Sequence, residues 1–124
     1  MNPSPGPQGP LPLVARLTTD HGVPLVDDAS LPTDAGLTAV FLPGASGESG
    51  DVAVVLPELL KAFAGRLSAA VAAPEAEAAL AARFAVFVTP ALVFLRGGEQ
   101  VGALTKVRDW AVYRDTIQTL LEAR

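Results

Sequence analysis

The sequence predicts an α/β domain in which a mixed central sheet lies between layers of helices. From Leu37 onward, apolar patterns and turn residues give the element order β-α-β-α-β-β-α. Crossovers between parallel strands, followed by an antiparallel hairpin and a last helix, build such a sheet with helices on both faces. The 124 residues suffice for one domain with its own core. We therefore expect a single domain over residues 11–124, preceded by a leader over residues 1–10.

The leader is rich in proline and glycine and is expected to be disordered. The stretch MNPSPGPQGPLPL contains five prolines and no basic residue, so it lacks the positive region that opens a secretory signal peptide. No apolar stretch of the chain reaches the roughly 18 to 20 residues that a transmembrane helix needs. We expect a cytoplasmic protein without membrane insertion.

Turn residues divide the first part of the chain into short elements. LPLVARLTTDHG predicts a helix with Leu13, Val14 and Leu17 on its apolar stripe and Gly22 just past its end. VPLVD predicts a short strand, and DDASLPTDAG predicts a capped turn or short helix. The continuous apolar run LTAVFL predicts a strand that is covered on both faces.

The next helix has clear boundaries in the sequence. GASGESG predicts a loop, and Asp51 is expected to cap the helix VAVVLPELLKAFAG. Pro57 lies inside this helix and is expected to kink it, and Gly65 closes it. Its apolar stripe comprises Val52, Val55, Leu56, Leu59, Leu60 and Phe63.

The second half predicts a strand, a helix, a hairpin and a last helix. RLSAAVAA is the strand, and PEAEAALAARF is the helix, with Pro74 in its first turn. ALVFL and QVGALTKV, joined by RGGE, predict a β-hairpin with Gly97-Gly98 in the turn. Asp109 is expected to cap the last helix, WAVYRDTIQTLLEAR, whose apolar stripe comprises Val112, Tyr113, Ile117, Leu120 and Leu121.

The acidic residues are concentrated in the first half of the chain. The net charge is −4, and up to Leu60 seven acids face Arg16 as the one basic residue. From Lys61 onward, eight basic residues outnumber six acidic ones. This asymmetry indicates an acidic face that binds a basic partner rather than nucleic acid. The alternative is that the acids only solvate loops and helix starts.

The stretch FAVFVTPALVFLRGGEQVG resembles the second half of a thioredoxin. The resemblance implies that Pro90 is the cis-proline of that fold; an ordinary trans proline at a strand start is the alternative. Pro57 resembles the proline that lies in the thioredoxin helix five residues after the second cysteine. By this count, Ser49-Gly50-Asp51-Val52 occupies the place of the Cys-x-x-Cys pair. The chain contains no cysteine, so it cannot exchange thiols.

A longer likeness runs from Leu11 to Glu122. DVAVVLPELLKAFAGRLSAAV and the later stretch ending in KVRDW resemble the cysteine-free hydrogenase expression proteins of the HupG/HyaE family. The resemblance implies a thioredoxin-like fold, no redox activity and a role in maturation of uptake [NiFe] hydrogenases. It further implies binding of the small-subunit precursor with its twin-arginine signal peptide, and other maturation factors as further partners.

Neither catalysis nor cofactor binding is predicted. Ser46, Ser49, His21 and Asp20 are the residue types of a hydrolytic triad, but no nucleophile-elbow pattern surrounds either serine. GASGESGD lacks the lysine of a phosphate-binding loop. One histidine and no cysteine leave poor material for a metal site. We expect no enzyme activity, no cofactor and no metal.

A binding role remains. A peptide is expected to lie in extended form against the backbone of Thr89, beside Pro90, as in β-strand addition. Glu48, Asp51 and Glu58 are expected near that rim, where they can meet an arginine pair. Trp110 is either a partner contact or a core residue that packs with Val107. The competing function is a redox-inactive thioredoxin-like interaction module for another complex.

Overall fold

The computed structural model of the chain describes residues 12–45 and 48–123. Four α-helices and five strands follow one another, with two short 3-10 turns. The helices are α1 (Pro12–His21), α2 (Ser49–Ala62), α3 (Glu77–Arg83) and α4 (Trp110–Glu122). The strands are β1 (Leu25–Val26), β2 (Leu37–Leu42), β3 (Leu67–Ala72), β4 (Ala91–Arg96) and β5 (Glu99–Thr105), and the 3-10 turns are Asp28–Ser30 and Pro74–Ala76. The leader predicted over residues 1–10 lies outside the described residues.

The five strands form one mixed sheet in the order β1-β3-β2-β4-β5. β1, β3 and β2 run parallel, and β4 and β5 run antiparallel to their neighbours. All six residues of β2 are buried, as predicted for a strand covered on both faces. The predicted hairpin is confirmed, since β4 and β5 pair across a turn formed by Gly97 and Gly98.

Each face of the sheet has its own apolar core. Ala39 and Phe41 point from β2 into the core beneath α1, α2 and α4. Val40 and Leu42 point into the core on the opposite face, beneath α3. The predicted architecture of a mixed sheet between helix layers is therefore confirmed. Among the described residues, no helix is long and apolar enough to cross a membrane.

Helix α1 ends as its sequence predicts. Gly22 has a φ of +67°, a backbone conformation that L side chains rarely adopt. Its amide donates to the carbonyl of Thr18, and the amide of Val23 donates to that of Leu17. These bonds satisfy the last carbonyls of the helix. On the predicted apolar stripe, Val14 and Leu17 are buried, whereas Leu13 is 41% exposed.

Helix α2 begins three residues earlier than predicted, and Asp51 does not cap it. Ser49 and Gly50 are already helical, and Asp51 stands in the first turn. Glycine is favoured here by packing, because a Cβ on Gly50 would lie 3.0 Å from the Leu13 Cδ1 atom of α1. Two close-packed helices thus override the weak helix propensity of the sequence.

The start of α4 also corrects an expectation. Asp109 holds the N-cap position with an extended backbone, but its side chain makes no capping hydrogen bond. Its carbonyl instead accepts from the amides of Val112 and Tyr113. On this helix Tyr113 and Ile117 are buried, whereas Val112, predicted on the apolar stripe, is 39% exposed.

Candidate functional site

Three loops meet at one end of the sheet. In the antiparallel register Leu42 of β2 faces Ala91 of β4, which in turn faces Thr105 of β5. The segments beyond these residues therefore leave the sheet side by side. We call residues 43–45, 85–90 and 106–109 the loop end. The first turn of α2 follows the first of these segments.

The bond between Thr89 and Pro90 is cis, which confirms the expectation and excludes the trans alternative. Pro90 is buried. Its carbonyl accepts a hydrogen bond from the amide of Lys106 at 2.7 Å. This bond ties the segment before β4 to the segment after β5.

Gly44 and Thr89 bring segment 43–45 into contact with segment 85–90. Gly44 has a φ of +71°, and a Cβ built on it would lie 2.0 Å from the Thr89 Oγ1 atom. The threonine side chain thus packs directly against the glycine backbone. No other residue fits at position 44 without displacing the loop that contains the cis-proline.

A carboxylate from α3 holds segment 43–45, and the sequence did not predict this role. The Glu77 Oε2 atom accepts a hydrogen bond from the amide of Gly44 at 2.5 Å. Burial raises the pKa of Glu77 above its ordinary value, and the hydrogen bond from Gly44 partly offsets this rise. In the sequence, Glu77 looks like an ordinary acid in the first turn of a helix, so no local signal distinguishes it.

The four residues in place of the cysteine pair lie at the first turn of α2. Ser49 has no exposed surface, and Gly50 and Val52 are also buried. Asp51 alone among the four is exposed. Leu13 of α1 packs over Gly50. This position therefore has no cysteine, and Leu13 of α1 covers its Gly50.

The three predicted acids do not lie together. Glu48 and Asp51 are exposed at the start of α2, next to the loop end. Glu58 lies seven residues further along the helix than Asp51, which is about 10 Å at 1.5 Å per residue. It pairs with Lys61 at 3.3 Å and lines a groove of about 210 Å³ between α1 and α2, together with Arg16.

The loop end exposes large apolar side chains. Phe87 is 89% exposed and Val88 is 41% exposed, directly before the cis peptide bond. Trp110 is 41% exposed and Val107 is 37% exposed, so the interpretation of Trp110 as a core residue is wrong. Phe87 was missed because an apolar run before a strand looks like core; a signal was its place beside the predicted cis-proline.

Of the candidate residues for a hydrolytic triad, those that the structure describes lie in α1 and α2. Ser49 is buried, Asp20 pairs with Arg16 at 3.4 Å, and His21 lies exposed at the end of α1. Ser46 lies outside the described residues. Within residues 12–45 and 48–123, no three histidine, aspartate or glutamate side chains are grouped to hold a metal ion.

Comparison with known proteins gives a family. The family model "Hydrogenase-1 expression protein HyaE" matches residues 13–113. The hydrogenase expression/formation protein HupG of Bradyrhizobium diazoefficiens is 45% identical over 114 residues, which cover 84% of this chain and 77% of the relative. HoxO of Azotobacter vinelandii, of the same description, is 41% identical over 116 residues, covering 89% and 78%.

Solved structures show the fold. The crystal structure of a HupG from Rhodopseudomonas palustris is 39% identical with a TM-score of 0.55, and the match covers 79% of this chain and 94% of that one. A thioredoxin mutant from Halobacterium salinarum is 20% identical with a TM-score of 0.69, covering 82% and 92%. The fold of this chain is therefore thioredoxin-like.

Proposed function

Because this chain belongs to the HyaE family of hydrogenase expression proteins, we propose that it is a non-catalytic chaperone in the maturation of an uptake [NiFe] hydrogenase. In this proposal it binds the small-subunit precursor through its twin-arginine signal peptide, in the cytoplasm, and other maturation factors are further partners. The binding site is the loop end together with the first turn of α2.

The observation that carries the proposal is the exposure of Phe87. A phenylalanine that is 89% exposed contributes almost nothing to the core, although burying such a side chain is worth about 1.5–3 kcal/mol. Val88, Val107 and Trp110 are exposed at the same end of the sheet. Large apolar side chains gathered at one end of a domain are typical of a surface that a partner covers.

Residues 49–52, which stand where a thioredoxin has its cysteine pair, support a role in binding without catalysis. The chain has no cysteine, and the hydroxyl of Ser49 at the start of α2 has no exposed surface. The rigid elements around it remain, because the cis-proline loop is fixed by Lys106, Gly44 and, through Gly44, by Glu77. A fixed loop suits recognition of an extended segment, since little of its motion is lost on binding.

The acids give the proposed site its preference for a basic partner. Glu48 and Asp51 lie exposed at the start of α2, which follows the first segment of the loop end. Arginine pairs form charge-assisted hydrogen bonds with carboxylates. Trp110 supplies an exposed aromatic ring at the opposite side of the loop end.

The test is a pull-down with the small-subunit precursor, in forms with and without its signal peptide. We expect the protein to capture the complete precursor and to capture the form without the signal peptide much less. Equal capture of both forms would place the recognised segment in the mature subunit. Capture of neither would favour the alternative, an interaction module for another complex.

A further inference from the structure

The exposed side chains of the loop end change their chemical character across the sheet. β2, β4 and β5 are neighbours in that order, so the segments attached to their ends also lie in that order. The first segment leads into an acidic helix start, the second is apolar and the third carries two basic residues. The exposed side chains are Glu48 and Asp51, then Phe87 and Val88, then Lys106, Val107, Arg108 and Asp109.

Two charged groups of this strip, one at each end, are available to a partner. Neither the Asp51 carboxylate nor the Lys106 ammonium forms an ion pair with any described residue. Arg108 donates from its Nε to the carbonyl of Thr105 at 2.6 Å and has further donors on its guanidinium. Asp109 offsets one of the two basic charges, which leaves segment 106–109 with one net positive charge.

We propose that this strip binds an extended peptide segment with a basic end, an apolar middle and an acidic end. The basic end lies at Asp51, the apolar middle on Phe87 and Val88, and the acidic end at Lys106. The inference rests on the proposed function and deepens it, because it specifies the partner's charge order and fixes its orientation. A segment bound in the reverse direction would place like charges together at both ends.

The spacing of the strands sets the length of the apolar middle. Neighbouring strands lie about 4.8 Å apart, so the segments attached to the first and third of them lie about 10 Å apart. An extended chain spans this distance with about three residues. The acids stand on α2, beyond the end of β2, so the span from Asp51 to Lys106 is longer than this minimum. A segment with fewer than about three apolar residues between its charged ends does not reach both.

The experiment uses labelled synthetic peptides and fluorescence anisotropy. The first peptide carries two arginines at one end, an apolar middle and two glutamates at the other end. In the second the glutamates are replaced by glutamines, and in the third the arginines are. Each peptide is titrated into the full chain and into the variants Lys106→Glu and Asp51→Asn. Lys61→Glu is the matched control, since it makes the same charge change in the last turn of α2.

We expect Lys106→Glu to weaken binding of the first peptide about two- to fivefold and to leave the second peptide unchanged, as for exposed ion pairs. Asp51→Asn should weaken the first and second peptides and leave the third unchanged. Lys61→Glu should change none of the three affinities in this pattern. A thermal unfolding midpoint equal to that of the wild type shows that the fold of each variant is intact.

Equal effects of Lys106→Glu on the first two peptides, or no effect on either, would overturn the charge order. The proposed function would then stand if the precursor is still captured through its signal peptide. Failure of every peptide to bind, with the precursor still captured, would also overturn this inference and not the function. Failure of both the peptides and the precursor would overturn the two together.

Discussion

The carboxylate of Glu77 accepts a hydrogen bond from the amide of Gly44, 33 residues earlier in the chain, at 2.5 Å. Gly44 in turn packs against the side chain of Thr89. A residue of α3 therefore holds the loop after β2 against the loop that contains the cis-proline. Hydrogen bonds and packing hold the loop end in place. Part of this support comes from α3, which lies on the face of the sheet opposite to α1, α2 and α4.

Removing the acceptor at position 77 is expected to loosen this support. Glu77→Ala leaves the part-buried amide of Gly44 without its partner, which costs about 1 kcal/mol of unfolding free energy. Glu77→Gln keeps an oxygen acceptor and is expected to lose less. Urea unfolding of the two variants measures the difference. Equal stability of wild type and Glu77→Ala would mean that the hydrogen bond does not support the loop.

The raised pKa of Glu77 also gives a dependence on pH. Burial makes the folded protein hold the Glu77 proton more tightly than the unfolded chain does. The stability that this group contributes is therefore complete below its ordinary pKa of 4.5 and is lost as the pH rises through the raised pKa. The difference in unfolding free energy between wild type and Glu77→Gln should fall between acidic and neutral pH. A difference that rises with pH would contradict this cause of the shift.

A substitution at Gly44 tests how closely the loops pack. Gly44→Ala suffers both an unfavourable backbone conformation and the contact with Thr89, whereas Gly22→Ala suffers the backbone conformation alone, with no atom within 4 Å. The backbone effect costs about 1 kcal/mol. We expect Gly44→Ala to lose clearly more unfolding free energy than Gly22→Ala in parallel urea titrations. Similar losses would show that the Thr89 side chain moves aside without cost.

The chain is expected to have no disulfide-reductase activity, because it contains no thiol. In an insulin turbidity assay with dithiothreitol, the rate with the protein should equal the rate without it. A classical thioredoxin is the positive control. Acceleration above the protein-free rate would require a reductive chemistry that no residue of this chain supplies.

The sequence predicted the elements well where local signals decide them. Alternating and continuous apolar runs identified the strands, and Gly22 and the Gly97-Gly98 pair marked a helix end and a hairpin. The start of α2 was placed three residues late, because the glycine-rich stretch looks like a loop and the packing of Leu13 against Gly50 is not visible in the sequence. Such a contact joins distant parts of the chain and leaves no local pattern.

The candidate site was predicted only in part, because some of its features also depend on contacts between distant parts of the chain. The cis-proline Pro90 was predicted from the resemblance of its segment to thioredoxin. The role of Glu77 and the exposure of Phe87 depend on tertiary packing, which the sequence does not show. The separation of Glu58 from Asp51, in contrast, follows from seven residues of rise along one helix. The sequence left Trp110 open between a partner contact and a core residue, because buried and exposed tryptophans look alike in a sequence; its exposure excludes the core interpretation.

The most direct measurement is a titration of the labelled signal peptide of the small-subunit precursor into three proteins. These are the wild type, Phe87→Ser and, as a matched control, Val54→Ser, which removes a 57% exposed valine from the middle of α2. Burying a phenylalanine is worth about 1.5–3 kcal/mol, so Phe87→Ser should weaken binding about tenfold or more. Val54→Ser should bind like the wild type. Equal affinity of all three proteins, or no binding by the wild type, would contradict the claim that the loop end receives the signal peptide.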